Sequence, residues 1–486
     1  MKIVMIGGGS VLWTPRLGCD LFLEPALDGA ELCLVDIDPL AVKRTAACLR
    51  AAVSQHGLHQ NIIQSENLVK RTAACLRAAV SQHGLHWKIR VADLDTALKK
   101  ADLVLVSIST GGFDAMMNDY SIPERFGIFH TVGDTVGPGG ISRALRNIPV
   151  FTGIARRMSR LCPDAWMLHV TNPLTQLTRA VEKTGLVRTA GLCHEYIGML
   201  TMLRDFFQVE NPGDIDSLCV GVNHFTVLKN LAVRGVKNPE KRLTVKNYLK
   251  YEKQRSGELL TKTLDDIVIK AACRPGKLIP YYFNFYLNDH WGFFPMASSC
   301  HVCENLPGIN VSEEMLAMLN IYRKGVLPGR ADRKKEQTQK LDRLLKDGAP
   351  IPEMSERSKE MFADAAVALL NGEPRRIIAA VGNQGQVANL PRLATVETWA
   401  QVSRSGIHPV MSGEAPPSVK GFMEQIIAEE ELTVEAALTG DFDLVVNALT
   451  ASPMVADKRI APRLAKELLK ANQSYLPQFT RRRTFS

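Results

Sequence analysis

The chain has 486 residues, of which 46% are hydrophobic and 22% charged, and its formal net charge is +9. This composition excludes collagen-like, disordered and small disulfide-rich proteins, and no apolar run approaches the roughly 20 residues that cross a bilayer. The ten cysteines are spread thinly, as in proteins of a reducing compartment. No basic stripe is interleaved with aromatic residues. We therefore expect a cytoplasmic globular protein that binds neither nucleic acid nor membranes.

A glycine-rich turn follows the first predicted strand, residues 2–6. Four small residues form this turn: Gly7, Gly8, Gly9 and Ser10. Glycines between a strand and a helix bring backbone N–H groups close to a pyrophosphate, which the helix N-terminus stabilises. The second predicted strand, residues 31–35, ends at Asp36, where a carboxylate can hold the ribose hydroxyls of NAD and repel the 2′-phosphate of NADP. The pattern predicts an NAD site.

An internal repeat lies between the second and third predicted strands. Residues 42–59 recur without change at residues 69–86, with residues 60–68 between the copies. Solenoid architectures need at least three copies, so a tandem duplication explains the repeat better. The helical apolar spacing of each copy predicts two helical segments where one would cover the sheet.

Alternation of strands and helices continues through the first 200 residues. Further strands are predicted at residues 88–91, 102–107, 166–170 and 189–192. Such alternation is typical of parallel βαβ units. Beyond residue 197 the pattern changes to two paired strands, long polar helices through residues 312–343 and 355–371, one strand at residues 377–381 and two C-terminal helices. We predict an α/β protein, with a Rossmann-like, doubly wound parallel sheet at residues 1–196 and a mixed α+β domain at residues 197–486.

Three short polar segments each follow a predicted strand. They contain Val170-Thr171-Asn172-Pro173, Gly191-Leu192-Cys193-His194-Glu195 and Gly221-Val222-Asn223-His224-Phe225. Ligands of doubly wound sheets bind beyond the carboxyl ends of the strands, and a thiolate with an imidazole there suits a divalent ion that keeps positions open for substrate. From spacing alone, Cys193 and His224 fit core residues better than a metal site.

Short sequence segments, found in the same order along almost the whole chain, resemble those of glycoside hydrolase family 4, the NAD- and manganese-dependent glycosidases. The resemblance is greatest to its α-galactosidase branch. Those segments include IGGGS, LVDIDP, ADLVLVSISTGGF, GDTVGPGGISRALRNIPV, GLCHEY, GVNHF, GFFPMASSCHVCENLP and VGNQGQVANLP. The resemblance implies hydrolysis of unphosphorylated α-hexosides by C3 oxidation, C2 deprotonation, elimination and water addition, with NAD and Mn²⁺ as cofactors. It favours α-galactosides, with α-glucosides and α-hexuronides next. It also implies a homodimer or homotetramer.

The resemblance assigns roles to residues of this chain. Cys193 and His224 would hold Mn²⁺, and His194, typical of members that act on unphosphorylated sugars, would assist the leaving group as an acid or pack beside the metal. Residues expected to contact the carbohydrate are Asn172, Arg143, Asp134 and His301. Arg146, one helical turn after Arg143, is as well explained as a structural ion-pair partner.

One loop, residues 292–307, departs from the family pattern. Ala297 and Ser298 stand where many members carry an acidic residue, so the base that takes the C2 proton is open. Tyr281 or Tyr282 would serve if a nearby cation lowered its pKa, and both are otherwise core residues. Glu304, with His301 three residues before it, would shape the sugar pocket.

Two other functions are compatible with the sequence. A 2-hydroxy-acid dehydrogenase of the malate or lactate type would use the same kind of fold and produce net NADH. A non-catalytic NAD-binding relative would bind the dinucleotide and turn nothing over, which the missing acid and the duplication make conceivable.

Overall fold

The computed structural model describes residues 1–55, 86–256, 279–321, 323, 329–349, 351–352 and 355–480. Within them the strands are β1 Lys2–Ile6, β2 Glu31–Val35, β3 Lys88–Val91, β4 Leu103–Val106, β5 Trp166–His169, β6 Arg188–Gly191, β7 Ile215–Val222, β8 Phe225–Val233, β9 Arg375–Gly382, β10 Thr395–Ser403 and β11 Gly406–Pro409. Nine of these strands form one sheet in the order β11-β10-β9-β6-β5-β4-β1-β2-β3, and β7 pairs with β8.

The helices, numbered in chain order, surround this sheet. They are α1 Trp13–Phe22, α2 Pro39–Gln55, α3 Leu94–Leu98, α4 Gly112–Glu124, α5 Gly137–Leu161, α6 Leu174–Thr184, α7 Glu195–Phe207, α8 Val245–Ser256, α9 Tyr282–Trp291, α10 Ser299–Val302, α11 Glu313–Met318, α12 Gly329–Asp347, α13 Phe362–Leu370, α14 Pro417–Thr439, α15 Phe442–Ala451, α16 Ala461–Ala471 and α17 Pro477–Thr480. Among the described residues, no helix is long and apolar enough to cross a membrane.

The strands β1 to β6 form a parallel sheet with apolar cores on both faces. All five pairings between them are parallel. Alternate residues of β1 enter different cores: Ile3 packs in the core that α1 and α2 cover, whereas Val4 packs in the core that α5 and α6 cover. A strand buried on both faces reads as a continuous apolar run, as β1 and β4 do. This arrangement confirms the predicted Rossmann-like, doubly wound sheet.

The second half of the chain extends the same sheet. The strand β9 pairs antiparallel with β6, where Gly191 lies opposite Ala380, and β10 and β11 follow in antiparallel pairing. The predicted boundary at residues 196/197 falls inside α7 and does not separate two sheets. The sequence did predict β9 as a strand, but an apolar run does not tell which strand it pairs with.

Two further predictions differ from the structure. The polar helix predicted from residue 312 to 343 is divided into α11 and α12. Four helices, α14 to α17, follow the last strand within the described residues, where two had been expected. Of the repeat, only the first part of copy one is described, as the body of α2. The second copy up to residue 85 lies outside the described residues, so the prediction of two helical segments stays a prediction.

A two-residue turn joins β7 to β8. Val222 pairs with Phe225, so Asn223 and His224 alone form the turn. His224 has a φ of 63°, a left-handed conformation that is uncommon for residues other than glycine. Trp399 of β10 donates its indole N–H to the Ser217 carbonyl at 2.8 Å, which fastens the hairpin to the large sheet. This contact holds β7 against β10.

A buried carboxylate on α14 should make stability depend on pH. Burial raises the pKa of Glu429 from 4.5 to about 7, although the Gly137 N–H donates to it at 2.8 Å. Between these two values the unfolded chain loses a proton that the folded chain keeps, so stability falls as pH rises through this window, by up to about 3 kcal/mol. We expect Glu429→Gln to remove this fall, so that its melting temperature rises relative to wild type between pH 5 and pH 8.

The exposed Glu414 provides the matched substitution, Glu414→Gln. Its melting temperature should follow that of the wild type at every pH. Scanning calorimetry of the three proteins measures the effect. A Glu429→Gln offset that is the same at pH 5 and pH 8 would contradict the titration of this group.

Candidate functional site

The predicted site residues meet at one edge of the sheet. The glycine turn follows β1, Asn172 follows β5, and Cys193 and His194 follow β6. Because these strands are parallel, their carboxyl ends share that edge, which is where ligands of doubly wound sheets bind.

The glycine turn is held tightly against two neighbouring strands. Gly7 has a φ of 88°, and a Cβ placed there would lie 1.8 Å from the Ser107 carbonyl oxygen, so only glycine fits. The Asp36 carboxylate accepts the Gly9 N–H at 2.8 Å and the Asp38 N–H at 2.9 Å. Ser10 Oγ accepts the Trp13 N–H at 3.2 Å, at the start of α1. The predicted NAD residues therefore form one ordered turn, in which Asp36 also binds the turn itself.

Three potential metal ligands converge near this edge. In the described part of the chain, a single group of at least three His, Cys, Asp or Glu side chains has its ligand atoms all within 4.8 Å of one another, namely Asp134, His224 and His301. The two imidazole rings have centroids 3.8 Å apart, and both histidines are buried. Asp134 and His301 were predicted as substrate contacts, so sequence reasoning missed their approach to His224.

The loop that carries Asp134 is anchored from below by Glu304. This buried carboxylate accepts the backbone N–H groups of Thr131, Val132 and Gly133 at 2.7–2.9 Å and contacts His130 Nδ1 at 3.0 Å. Its side chain is 1% exposed, and its part in shaping a sugar pocket stays a prediction. It holds the loop in place.

His301 lies in the short helix α10, directly after the loop that follows α9. This loop runs beside β8: the Leu228 N–H donates to the Phe294 carbonyl at 2.9 Å, and the Met296 N–H donates to the Thr226 carbonyl at 2.8 Å. His301 Nδ1 is buried and has no hydrogen-bond partner within the structure. A buried ring nitrogen without a partner is costly, and a ligand at this position would satisfy it.

Charges in the cluster are complementary. Burial opposes ionisation of Asp134, but His301, Arg143 and His224 outweigh it and hold its pKa at about 2. Burial, followed by the neighbouring His301, lowers the pKa of His224 to about 3, so this imidazole is neutral, as a metal ligand must be. His224 Nδ1 lies 2.7 Å from Thr135 Oγ1. That contact fixes the ring orientation and leaves Nε2 for a ligand.

Cys193 lies outside the three-residue group. Its thiol is half-buried and lies close to the Asn223 side chain. Burial, with Glu397 and Glu195 nearby, raises its pKa well above the usual value. Its assignment as a metal ligand stays a prediction.

His194 forms an ion pair at the mouth of the site. Its Nδ1 lies 2.9 Å from Glu360 Oε1, and its side chain is 39% exposed. Burial lowers its pKa, but the hydrogen bond and charge of Glu360 outweigh this effect, so the pKa is raised. This favours the protonated form that the predicted acid role requires.

Glu195 is a site residue that the sequence analysis did not single out. Its Oε2 accepts the Ser298 N–H at 2.7 Å, and its Oε1 lies 3.9 Å from His301 Nε2. Burial opposes its ionisation, but His301, His224 and His194 hold its pKa at about 2. The carboxylate therefore lies against the loop in which Ala297 and Ser298 replace an acid. The available signal was its position directly after Cys193-His194.

The two predicted substrate residues Asn172 and Arg143 are in contact. Arg143 Nε donates to the Asn172 carbonyl at 3.0 Å, and Arg143 also lies close enough to Asp134 to lower its pKa. Arg146 instead makes a bidentate pair with Asp119 at 2.7 and 2.8 Å, fully buried. It is the structural ion-pair partner that was one of its two predicted roles.

The two tyrosines begin α9 and are not members of the ligand group. Tyr282 is 7% exposed and belongs to an apolar cluster that includes Tyr196 and Tyr248. Tyr281 packs against the same cluster. Their surroundings are those of core residues, the alternative that the sequence left open, and a catalytic role for either stays a prediction.

Comparisons with known proteins identify the family. The model described as "Family 4 glycosyl hydrolase" matches residues 2–73 and 63–209, and that of the "Family 4 glycosyl hydrolase C-terminal domain" matches residues 219–455. The first two matches overlap within the repeated segment. An α-galacturonidase of Thermoanaerobacterium saccharolyticum is 30% identical over 497 aligned residues, covering 98% of this chain and 96% of that protein. An α-galactosidase of Bacillus subtilis is 29% identical, covering 98% and 99%.

Solved structures share the fold. Bacillus subtilis lplD, described as a glucosidase, superposes with a TM-score of 0.77 at 28% identity, covering 96% of this chain and 99% of that one. A 6-phospho-β-glucosidase of Thermotoga maritima, solved with manganese, NAD⁺ and glucose-6-phosphate, has a TM-score of 0.72 at 21% identity, covering 98% and 99%. With both family models matched along most of its length, the chain belongs to glycosyl hydrolase family 4.

Proposed function

We propose that this chain is an NAD⁺- and Mn²⁺-dependent α-glycosidase that acts on unphosphorylated α-galacto-configured sugars, with α-galacturonides preferred over α-galactosides. The observation that carries the proposal is the convergence of Asp134, His224 and His301 beside Glu195 and His194. Relatives at about 30% identity over nearly the full chain are named α-galacturonidase and α-galactosidase, and both names specify the galacto configuration.

The glycine turn fits a dinucleotide. Gly7 leaves no room for a side chain, so backbone atoms can approach a pyrophosphate closely. Each Asp36 oxygen accepts one backbone N–H and keeps a second lone pair for a ribose hydroxyl. Directly after it, Ile37 is fully exposed and Leu40 is 72% exposed. An adenine ring would cover these apolar side chains, which otherwise lie in water at a cost.

The ligand group fits a manganese ion. Carboxylate and imidazole are ligands that suit Mn²⁺ and other divalent ions, His224 is neutral, and His301 Nδ1 lacks a partner. Asp134, His224 and His301 would hold the ion, with Cys193 adjacent through Asn223. When bound, the ion would supply Lewis-acid polarisation of a sugar oxygen, and the dinucleotide a reversible hydride acceptor.

Residues of the chain supply binding and proton transfer. Arg143 and Asn172, held together by a hydrogen bond, would bind sugar hydroxyls. The ionised Glu195 is a proton acceptor beside the ligand group, and His194, whose pKa is raised because Glu360 outweighs burial, is a proton donor at the mouth. Glu195 therefore takes the place of the acid that is missing at Ala297 and Ser298.

The proposal is tested with p-nitrophenyl α-galacturonide, α-galactoside and α-glucoside under reducing conditions. Nitrophenol release should require both NAD⁺ and Mn²⁺ and should be fastest with the galacturonide. Release that is indifferent to both additions would overturn the proposed chemistry. NAD⁺ binding without release would favour the non-catalytic alternative, and net NADH from 2-hydroxy acids would favour the dehydrogenase, which family membership does not support.

A further inference from the structure

The buried carboxyl group of Glu397 lies next to the turn that carries His224 and has no part in the proposed chemistry. Glu397 is in the middle of β10 and is 1% exposed. Its Oε2 accepts the side-chain N–H of Asn223 at 2.7 Å. Burying a carboxyl group on a strand of the large sheet costs free energy, so its retention there requires an explanation.

Asn223 connects this carboxyl group to two site residues. It immediately precedes His224 in the two-residue turn between β7 and β8, and its side chain also lies close to the Cys193 thiol. Asn223 is itself 0% exposed, and its amide N–H group is the donor, since its Oδ1 has no partner. One amide group therefore joins Glu397, the thiol and the turn that presents the His224 imidazole.

The turn needs such support because of its backbone. A histidine at a φ of 63° adopts a sparsely populated conformation that persists only where the surroundings determine it. Thr135 fixes the imidazole from one side. Among the described contacts, the Asn223 side chain is what ties the other half of the turn to the large sheet, through β10.

We propose that Glu397 is a positioning residue that acts through Asn223 to hold His224 and Cys193 in the geometry that binds the divalent ion. The inference rests on the proposed function, since the ion is part of it. Groups that orient metal ligands without touching the metal commonly contribute 10- to 100-fold in metal affinity. Strand β10, which the second half of the chain adds to the sheet, would thus have a direct role in the metal site.

The test measures Mn²⁺ binding to the full-length protein directly, with NAD⁺ present. The electron paramagnetic resonance signal gives the concentration of Mn²⁺ that stays free. Glu397→Ala should weaken binding by about 10- to 100-fold. Glu397→Gln should lose much less, because its amide oxygen still accepts the Asn223 N–H. If Glu397 acts through Asn223, the Glu397→Ala, Asn223→Ala double variant should bind no more weakly than Asn223→Ala alone.

A matched control is Glu182→Ala, which removes another largely buried carboxylate that accepts a sheet N–H, that of Gly382 at 2.8 Å. Glu182→Ala should keep the wild-type Mn²⁺ affinity even if its melting temperature falls as far as that of Glu397→Ala. Additive losses in the double variant, or an equal loss in Glu182→Ala, would overturn the proposal, because either would show a general destabilisation.

A second readout does not depend on the ion. Alkylation of Cys193 by iodoacetamide, followed on its own peptide by mass spectrometry in metal-free protein, should change in rate in Glu397→Ala and return towards wild type in Glu397→Gln. An unchanged rate in Glu397→Ala would overturn the positioning role. Wild-type protein that binds no Mn²⁺ would count against the proposed function, while the alkylation rates would still decide the role of Glu397.

Discussion

Replacing His224 by alanine is expected to lower Mn²⁺ affinity by at least about 100-fold, the upper end of what changes around metal ligands cost, and to reduce glycosidase activity to background. The imidazole is neutral, its Nδ1 is held by Thr135, and its ligand atom lies within 4.8 Å of those of Asp134 and His301. Losing it removes the residue shared by the ligand group of the structure and the ligand pair that the family resemblance implies. Titration of apoprotein with Mn²⁺ measures the affinity, and nitrophenol release measures the activity.

The exposed His408 on β11 provides the matched control, since His408→Ala removes an imidazole far from the ligand group in sequence and on the surface. It should change neither quantity. Three further variants distinguish between the two possible ligand sets, namely Asp134→Asn, His301→Ala and Cys193→Ser. Metal affinity lost in the first two variants supports the cluster seen here, whereas loss in Cys193→Ser alone would assign the ion to the thiolate and His224.

Much of the fold could be predicted because its signals are local. The run of residues 2–6 and the glycines after it define β1 and its turn without reference to the rest of the chain. The pairing of β9 with β6 could not be predicted in this way, because Gly191 and Ala380 meet across nearly 190 positions of sequence. Nothing in the composition of β9 distinguishes an added antiparallel strand from a strand of a separate domain.

The site follows the same division. His224 and Cys193 stand out because each follows a predicted strand. Cys193 follows β6 at the predicted edge, whereas His224 lies in the turn between β7 and β8 of the two-stranded sheet. The approach of Asp134 and His301 to His224 depends on the anchoring of one loop by Glu304 and on the course of another along β8, which are long-range contacts. Glu195 was overlooked for a different reason, since the absence of an acid at Ala297 and Ser298 drew attention to that loop rather than to residues packed against it.

Replacing Glu195 by glutamine is expected to lower kcat by about 10²- to 10⁴-fold, the contribution of a general base. The amide has nearly the same shape and can still accept the Ser298 N–H, but it does not take up a proton. Burial of the wild-type carboxylate is outweighed by its neighbours, His301 first, which hold its pKa at about 2, so it is ionised and can accept a proton throughout the neutral range. The rate of nitrophenol release from the best substrate, at saturating NAD⁺ and Mn²⁺, measures the effect.

Three comparisons make this result specific to proton transfer. Glu210→Gln changes an exposed acid shortly after α7, the helix that begins at Glu195. It should have wild-type kcat. Mn²⁺ and NAD⁺ affinities of Glu195→Gln should stay close to those of the wild type, since a loss there would mean that the carboxylate serves binding instead. Tyr281→Phe and Tyr282→Phe should retain activity, because both rings lie with the apolar cluster around Tyr248. A near-normal kcat of Glu195→Gln, together with an inactive tyrosine variant, would instead assign the base to Tyr281 or Tyr282. Glu195 would then have only the structural role of accepting the Ser298 N–H.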